Sequence, residues 1–420
     1  MWKTMNGYLI VILVIIALRL GLELVSNVLN LRHIKPDLPQ EFEGFYDEEK
    51  YCTSQQYLVD NTRFGICEDV VQTLVVVVFM LAGGFNLVDG LARSVGVGTV
   101  TCGLVFAAVL GVGGKIISLP FSIYGTFVIE ERYGFNKTTA RTFVGDILKG
   151  ALLGVIIGGP VLALVIWFFD AAGSLAWLYC WGAVVAFQVC LVFVAPYTIM
   201  PLFNKFEPLD EGPLKEGIEE YAAAQKFRMK GVFKMDGSRR SARSNAFFTG
   251  FGRSRRIVLF DTLIEKHTVP ELVAIVAHEM GHYKKRHILW GMIRSIVQAG
   301  LMFFLLSLMM GNEGVFEAFR MEHVSVYAGL FFFGFLYTPV GMVISVVEHA
   351  ISRRQEYQAD RFAVETAGDV GAMVSGLKKL SVDNLSNLTP HPMVVWLGYS
   401  HPPVLERIAA LRNMCLPLSS

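Results

Sequence analysis

The segment Ile147-Leu-Lys-Gly-Ala-Leu-Leu-Gly-Val-Ile-Ile-Gly-Gly-Pro-Val-Leu-Ala-Leu-Val-Ile-Trp-Phe-Phe-Asp170 decides the fold class. The twenty residues between Lys149 and Asp170 carry no charge, which is about the length an α-helix needs to cross the hydrocarbon core of a bilayer. Comparable apolar windows lie near 8–28, 72–92, 98–125, 174–200, 288–311 and 325–348. The chain therefore reads as an all-α membrane protein of about seven transmembrane helices. Its composition agrees: of 420 residues, 53% are hydrophobic and 17% charged. A formal net charge of +1 gives no basis for a nucleic-acid partner. The partner that composition demands is the lipid bilayer.

Lys3 ahead of the apolar Tyr8–Leu18 stretch has the outline of a signal peptide. No small-x-small cleavage site follows, and the apolar helical pattern resumes from Leu20 to Leu31, so the segment is read as a retained first span. Arg19, Glu23, Asn86, Asp89 and Lys115 fall within or near the spans. Groups so costly in lipid have to face protein, water or the headgroups.

Orientation follows from where Lys and Arg collect, because basic residues translocate poorly. The segments around 30–70, 126–149 and 201–286 are basic, the last with sixteen Lys and Arg, whereas the connections near 93, 171 and 312–324 carry one or none. The strict alternation puts the basic set in the cytosol, with the N-terminus luminal or outside and the C-terminus cytosolic. Cys52, Cys67, Cys102, Cys180, Cys190 and Cys415 are too widely spaced for a thiolate metal cage or a CxxC redox pair. The same topology puts the loop holding Cys52 and Cys67 in a reducing compartment, which argues against a disulfide there.

The chemistry begins at Thr268-Val-Pro-Glu-Leu-Val-Ala-Ile-Val-Ala-His-Glu-Met-Gly-His282. Thr268 as N-cap, Pro270 in the first turn and Glu271 near the positive end of the dipole predict a helix start. His278 and His282 then project from one face a turn apart, close enough to share a zinc ion. Glu279 beside them is placed to take a proton from a water at that metal. A chance HExxH in a chain of this length arises on the order of one time in a hundred. The apolar run Leu272–Ala277 further implies a buried helix, in which two unpaired imidazoles would be expensive.

A catalytic zinc needs a third protein donor. After the seventh span comes Ser352-Arg-Arg-Gln-Glu-Tyr-Gln-Ala-Asp360, with Glu356 and Asp360 four apart on one helical face. Two spans separate it from the histidine motif, so both lie on the same side of the membrane. Two readings stand: ordinary charges on a juxtamembrane helix, or Glu356 as third ligand with Asp360 hydrogen-bonded to a ligating histidine.

Taken together, Ser352-Arg353-Arg354-x-Glu356-Tyr357-x-Ala359-Asp360 and His278-Glu279-x-x-His282 resemble the type I CaaX prenyl proteases. The resemblance extends to Glu130-Glu131-x-x-Gly134-Phe135-Asn136, to Arg243-Ser-Asn245-Ala246-Phe247-Phe248-x-Gly250-Phe251 leading into Arg256–Leu263, and to Asp383–Leu388 with Pro390-His391-Pro392. It closes on Tyr399-Ser-His401-Pro-Pro-x-Leu-Glu406-Arg407. It implies helices ringing a hydrated chamber, with a cytosolic-side zinc metalloprotease domain that carries a small β element. It further implies one Zn2+ per chain on His278, His282 and Glu356, Glu279 as base and acid, and Asp360 and Arg407 behind the ligands. His401 would lie near the metal as a transition-state donor, and Asn245, Ala246 and Phe247 would line an extended substrate peptide.

The expected organisation is membrane helices one to five in 1–200, a central catalytic segment in 201–287, helices six and seven in 288–348, and a C-terminal segment in 349–420 that completes the site. The implied reaction is removal of the last three residues of isoprenylated CaaX proteins, with further upstream processing of some precursors. The implied partners are isoprenylated protein or peptide C-termini. The implied location is the endoplasmic reticulum membrane, although Leu416-Pro-Leu-Ser-Ser420 carries no dilysine retrieval signal. Asn136-Lys-Thr138, Asn384-Leu-Ser386 and Asn387-Leu-Thr389 fit the glycosylation pattern, but they fall on expected cytosolic segments and are expected to be unmodified. A membrane quality-control zinc protease, acting on misfolded or non-prenylated proteins, shares HExxH but has fewer spans and lacks these blocks. A receptor or transporter binding metal without catalysis would not need Glu279.

Overall fold

The computed structural model describes residues 6–96, 98–250 and 255–414. Lys3, Phe251, Cys415 and Leu416–Ser420, used in the sequence reading, lie outside them. Among the described residues seven helices are long and apolar enough to cross a membrane: Gly7–Arg32, Glu48–Leu81, Thr99–Glu130, Ala140–Ala171, Gly173–Phe203, His287–Met309 and Val326–Ala367. Each packs against its neighbours in sequence, and the seventh returns to touch the first and third. At most 17% of the most apolar window of any span is buried. Most of the apolar surface of the spans is therefore open to lipid or to the interior of the ring, unlike the packed core of a soluble bundle.

The second span differs from its sequence window. Continuous apolarity suggests a helix over 72–92, but Gly83 turns the chain with φ 76°, a left-handed conformation that glycine adopts without penalty. The span ends at Leu81 and a separate helix, Gly84–Val95, follows. Asn86 and Asp89 belong to that short helix, not to the span. Buried Asp89 accepts hydrogen bonds from Arg93 Nε at 2.7 Å and Tyr327 Oη at 2.5 Å. Within the first span Arg19 pairs with Glu23 at 3.0 Å.

Two large apolar clusters form at opposite ends of the helix ring. One joins Ile12, Met80, Phe85, Phe106, Phe319 and Phe332. The other gathers Phe42, Tyr57, Phe135, Leu259, Val276, Ala363, Leu388 and Ile408 into one body. These last residues come from the segments that the basic-residue pattern assigns to a single face. A four-stranded sheet sits in that body: β1 (Phe206–Pro208), β2 (Gly231–Met235), β3 (Ala246–Thr249) and β4 (Arg256–Phe260), in the order β1-β2-β4-β3. The central β4 buries Ile257, Val258 and Leu259 in succession, as a strand covered on both faces should. β3 pairs antiparallel with β4 and is an edge strand.

Candidate active site

The HExxH helix runs from Val269 to Lys284. Thr268 and Glu271 form a capping box, with the Thr268 N–H donating to Glu271 Oε2 at 2.8 Å. Glu271 also accepts from Ser375 Oγ at 2.6 Å and Lys379 Nζ at 2.8 Å. Burial raises the proton affinity of this carboxyl, but the bonds from Lys379, Ser375 and the Thr268 amide outweigh it and hold the pKa below the ordinary carboxylate value.

This helix lies against the C-terminal half of the seventh span. At Gly281 the two backbones approach closely: a Cβ would stand 3.0 Å from Ala359 Cα and 3.1 Å from its carbonyl oxygen. The approach brings His278 and His282 onto Glu356: His282 Nε2 is 3.1 Å from Glu356 Oε1, and His278 Nε2 is 3.4 Å from Oε2. The two Nε2 atoms are 3.2 Å apart, and donor atoms of the three residues lie within 4.8 Å of one another. Glu356 Oε2 is buried with no hydrogen bond of good geometry, although His401 Nδ1 stands 2.9 Å and Arg407 Nη1 3.4 Å away. Two imidazole nitrogens facing each other beside an under-satisfied carboxylate fit a shared cation, and nitrogen and oxygen donors are those zinc takes.

A second layer of contacts fixes this donor set. His278 Nδ1 is 2.7 Å from Asp360 Oδ1, and Arg407 clamps Asp360 through Nε at 2.8 Å and Nη2 at 2.6 Å. Asp360 and Arg407 are both buried. Burial favours a neutral His278, but the adjoining carboxylates of Asp360 and Glu356 prevail and push its pKa up to about 9. The field that holds a proton there is the field that would hold a metal ion.

Glu279 is half-buried beside the histidines, and burial pushes its carboxyl up. His401 Nδ1 is 2.9 Å from Glu356 Oε2, while 64% of the His401 side chain stays exposed. Its ring sits at the mouth of the donor set.

Ala246 and Phe247 lie on β3, which packs beside the motif helix, and Asn245 immediately precedes it. The Phe260 N–H donates to the Asn245 carbonyl at 3.1 Å. By strand alternation Asn245, Phe247 and Thr249 thus turn their main-chain groups toward β4, while Ala246 and Phe248 turn theirs to the open edge. Two sequence blocks with no role assigned to them brace this strand. Glu130 accepts from Arg243 Nη2 at 3.0 Å and from Tyr57 Oη at 2.5 Å, and the Arg243 guanidinium lies 4.6 Å from the Phe135 ring centroid. Asn384 accepts the Ser244 N–H at 3.1 Å and donates to the Ser244 carbonyl at 3.2 Å.

Family models match almost the entire chain: "CAAX prenyl protease N-terminal, five membrane helices" over residues 27–205 and "Peptidase family M48" over 208–415. The chain belongs to the M48 family of CaaX prenyl proteases. It is 36% identical to the CAAX prenyl protease 1 homolog of Oryza sativa subsp. japonica over 90% of this chain and 91% of that protein. It is 33% identical to CAAX prenyl protease 1 of Saccharomyces cerevisiae over 89% of this chain and 88% of that protein. The crystal structure of S. mikatae Ste24p superposes with a TM-score of 0.91 at 31% identity, covering 96% of this chain and 99% of that one. Membership of this family makes the chain a multi-pass membrane metalloprotease.

One histidine at the centre escaped the sequence reading. His287, the first residue of the sixth span, is buried with Nδ1 3.1 Å from His282 Nδ1 and Nε2 2.9 Å from Gln358 Oε1. It follows His282 by five residues, and Arg286 between the two helices is left-handed with φ 59°. No helical periodicity spans such a turn, so spacing alone could not find it.

Proposed function

We propose that this CaaX prenyl protease is a zinc endopeptidase that cuts isoprenylated CaaX proteins after the lipidated cysteine, releasing the last three residues. The same centre would serve for a further upstream cut in some precursors. The observation that carries this reading is the convergence of His278 and His282, on a helix that packs beside an edge strand, with Glu356 of the seventh span within 4.8 Å. We assign those three residues to one zinc ion per chain. Bound there, zinc would supply Lewis-acid polarisation of the scissile carbonyl and acidify a water.

The remaining steps belong to the protein. A substrate peptide adds as a strand to β3, bonding to the Ala246 carbonyl and the main chain of Phe248, while Asn245 and Phe247 fix the strand on β4 and the Asn245 side chain holds the Ala246 N–H. Glu279 accepts the proton of the attacking water and returns it to the leaving amine. Burial raises its proton affinity, which suits a group that must do both. His401, at the mouth, donates to the developing oxyanion. Asp360 accepts a hydrogen bond from His278 Nδ1–H, which keeps the ring hydrogen there and leaves Nε2 bare for the metal, and Arg407 holds Asp360 in place. The ring of apolar spans gives the prenyl chain a nonpolar surrounding next to a polar peptide site.

We place the body that carries the site in the cytosol and the N-terminus in the lumen of the endoplasmic reticulum, with the segments 201–287 and 349–420 supplying the site between them. The basic segments support this orientation. A C-terminal tag should react only from the cytosolic side, and labelling from the lumen alone would reverse the assignment. The reaction is tested by cleavage of farnesylated and unprenylated CaaX peptides. Wild type should prefer the farnesylated peptide, and Glu279→Ala should keep zinc and lose cleavage. Unchanged cleavage by Glu279→Ala would remove Glu279 from the mechanism.

A further inference from the structure

Each neutral imidazole carries one ring hydrogen, so a histidine can offer Nε2 to a metal only when its hydrogen is on Nδ1. His278 meets this condition through Asp360. The nearest counterpart for His282 is His287, whose Nδ1 is 3.1 Å from His282 Nδ1. That contact works only if one of the two nitrogens is bare. With His282 donating, His287 must carry its own hydrogen on Nε2, and that hydrogen must find an acceptor. Gln358 Oε1 stands there at 2.9 Å. The opposite arrangement, with His287 donating, would leave His282 protonated on Nε2 and unable to bind metal.

We infer that Gln358 and His287 are positioning residues that set the tautomer of His282 through a relay of two hydrogen bonds, so that Nε2 of His282 is free for the metal. The relay deepens the metal-centre reading above and rests on His282 being a metal donor. Its parts come from three places in the fold: the motif helix, the start of the sixth span and the seventh span, where Gln358 lies between Glu356 and Asp360. Arg286 makes the relay geometrically available. Its left-handed turn doubles the chain back, and the His282 and His287 rings meet edge to face at 79° with centroids 5.1 Å apart. The two histidine donors are thus backed unequally, His278 by a carboxylate anion and His282 by a neutral imidazole that ends on an amide.

The test uses the purified full-length protein, with zinc content measured against a series of free-zinc concentrations set by a chelator. Thermal unfolding at saturating zinc accompanies each measurement. His287→Phe removes both relay nitrogens at similar bulk, and Gln358→Leu removes only the terminal acceptor. Gln358→Glu restores an acceptor oxygen. The expected result is about a 10- to 100-fold loss of zinc affinity for His287→Phe and Gln358→Leu, with Gln358→Glu close to wild type. Wild-type affinity in a folded His287→Phe overturns the relay. If His287→Phe fails to fold, the Gln358 pair decides: equal affinity in the Leu and Glu variants overturns it, and a separation supports it. The control is His282→Ala. If that variant binds zinc as tightly as wild type, the metal-centre reading itself falls, whereas loss of zinc in His282→Ala with none in His287→Phe rejects the relay alone.

Discussion

Gly281 and Ala359 hold the two halves of the metal centre together, because the motif helix touches the backbone of the seventh span where a side chain is missing. Gly281→Ala places a Cβ 3.0 Å from Ala359 Cα, and the neighbour that must yield is backbone. Overpacking of this kind costs about 1–3 kcal/mol. The expected outcome is a lower unfolding temperature together with weaker zinc retention, since His278 and His282 ride on the displaced helix. A variant that melts and retains zinc as wild type does would show that the contact is not what sets the donor spacing.

The donors and their supports should separate experimentally. Glu356→Ala removes the proposed third donor and should leave little zinc. Asp360→Asn keeps the donors but weakens the hold on His278 Nδ1, so some zinc stays and cleavage falls about 10- to 100-fold. Metal analysis beside peptide turnover checks both. Full zinc and full rate in Glu356→Ala would reassign the third donor.

Asn384→Ala should act through the substrate strand. Both main-chain groups of Ser244 lose their partner, a cost of about 1–3 kcal/mol for a buried group left unpaired. The effect should appear mainly as a raised KM for the peptide, with kcat changing less. An unchanged KM would mean that the strand keeps its place without this brace.

Acid should loosen the start of the motif helix. The folded-state pKa of Glu271 is depressed, so its contribution to stability is fully present above the unfolded value of 4.5 and is lost as pH falls through the lower folded value. Thermal unfolding of wild type and Glu271→Gln followed from neutral pH downward should converge below about pH 4.5. A constant gap between the two curves across that range would exclude the linkage.

Hydropathy alone marks the spans, since a charge-free run like the one between Lys149 and Asp170 has few other uses. It does not find the break at Gly83, because the flanking residues stay apolar while the chain changes direction. The motif spacing brings His278 and His282 to one face, and the topology returns Glu356 to their side of the membrane. The brace of Glu130 and Asn384 on the Arg243–Ser244 segment is invisible in sequence, as is the His287–Gln358 contact. Each pairs residues from distant parts of the chain that no spacing rule links.

Glu356 follows His282 by 74 positions, with the sixth and seventh spans lying between. A chain still being synthesised therefore exposes HExxH well before its third donor exists. The donor set closes only once both spans have been inserted and the seventh helix has returned to the first face. With Glu356 as the proposed third donor, the site would thus stay incomplete until both spans are integrated into the membrane.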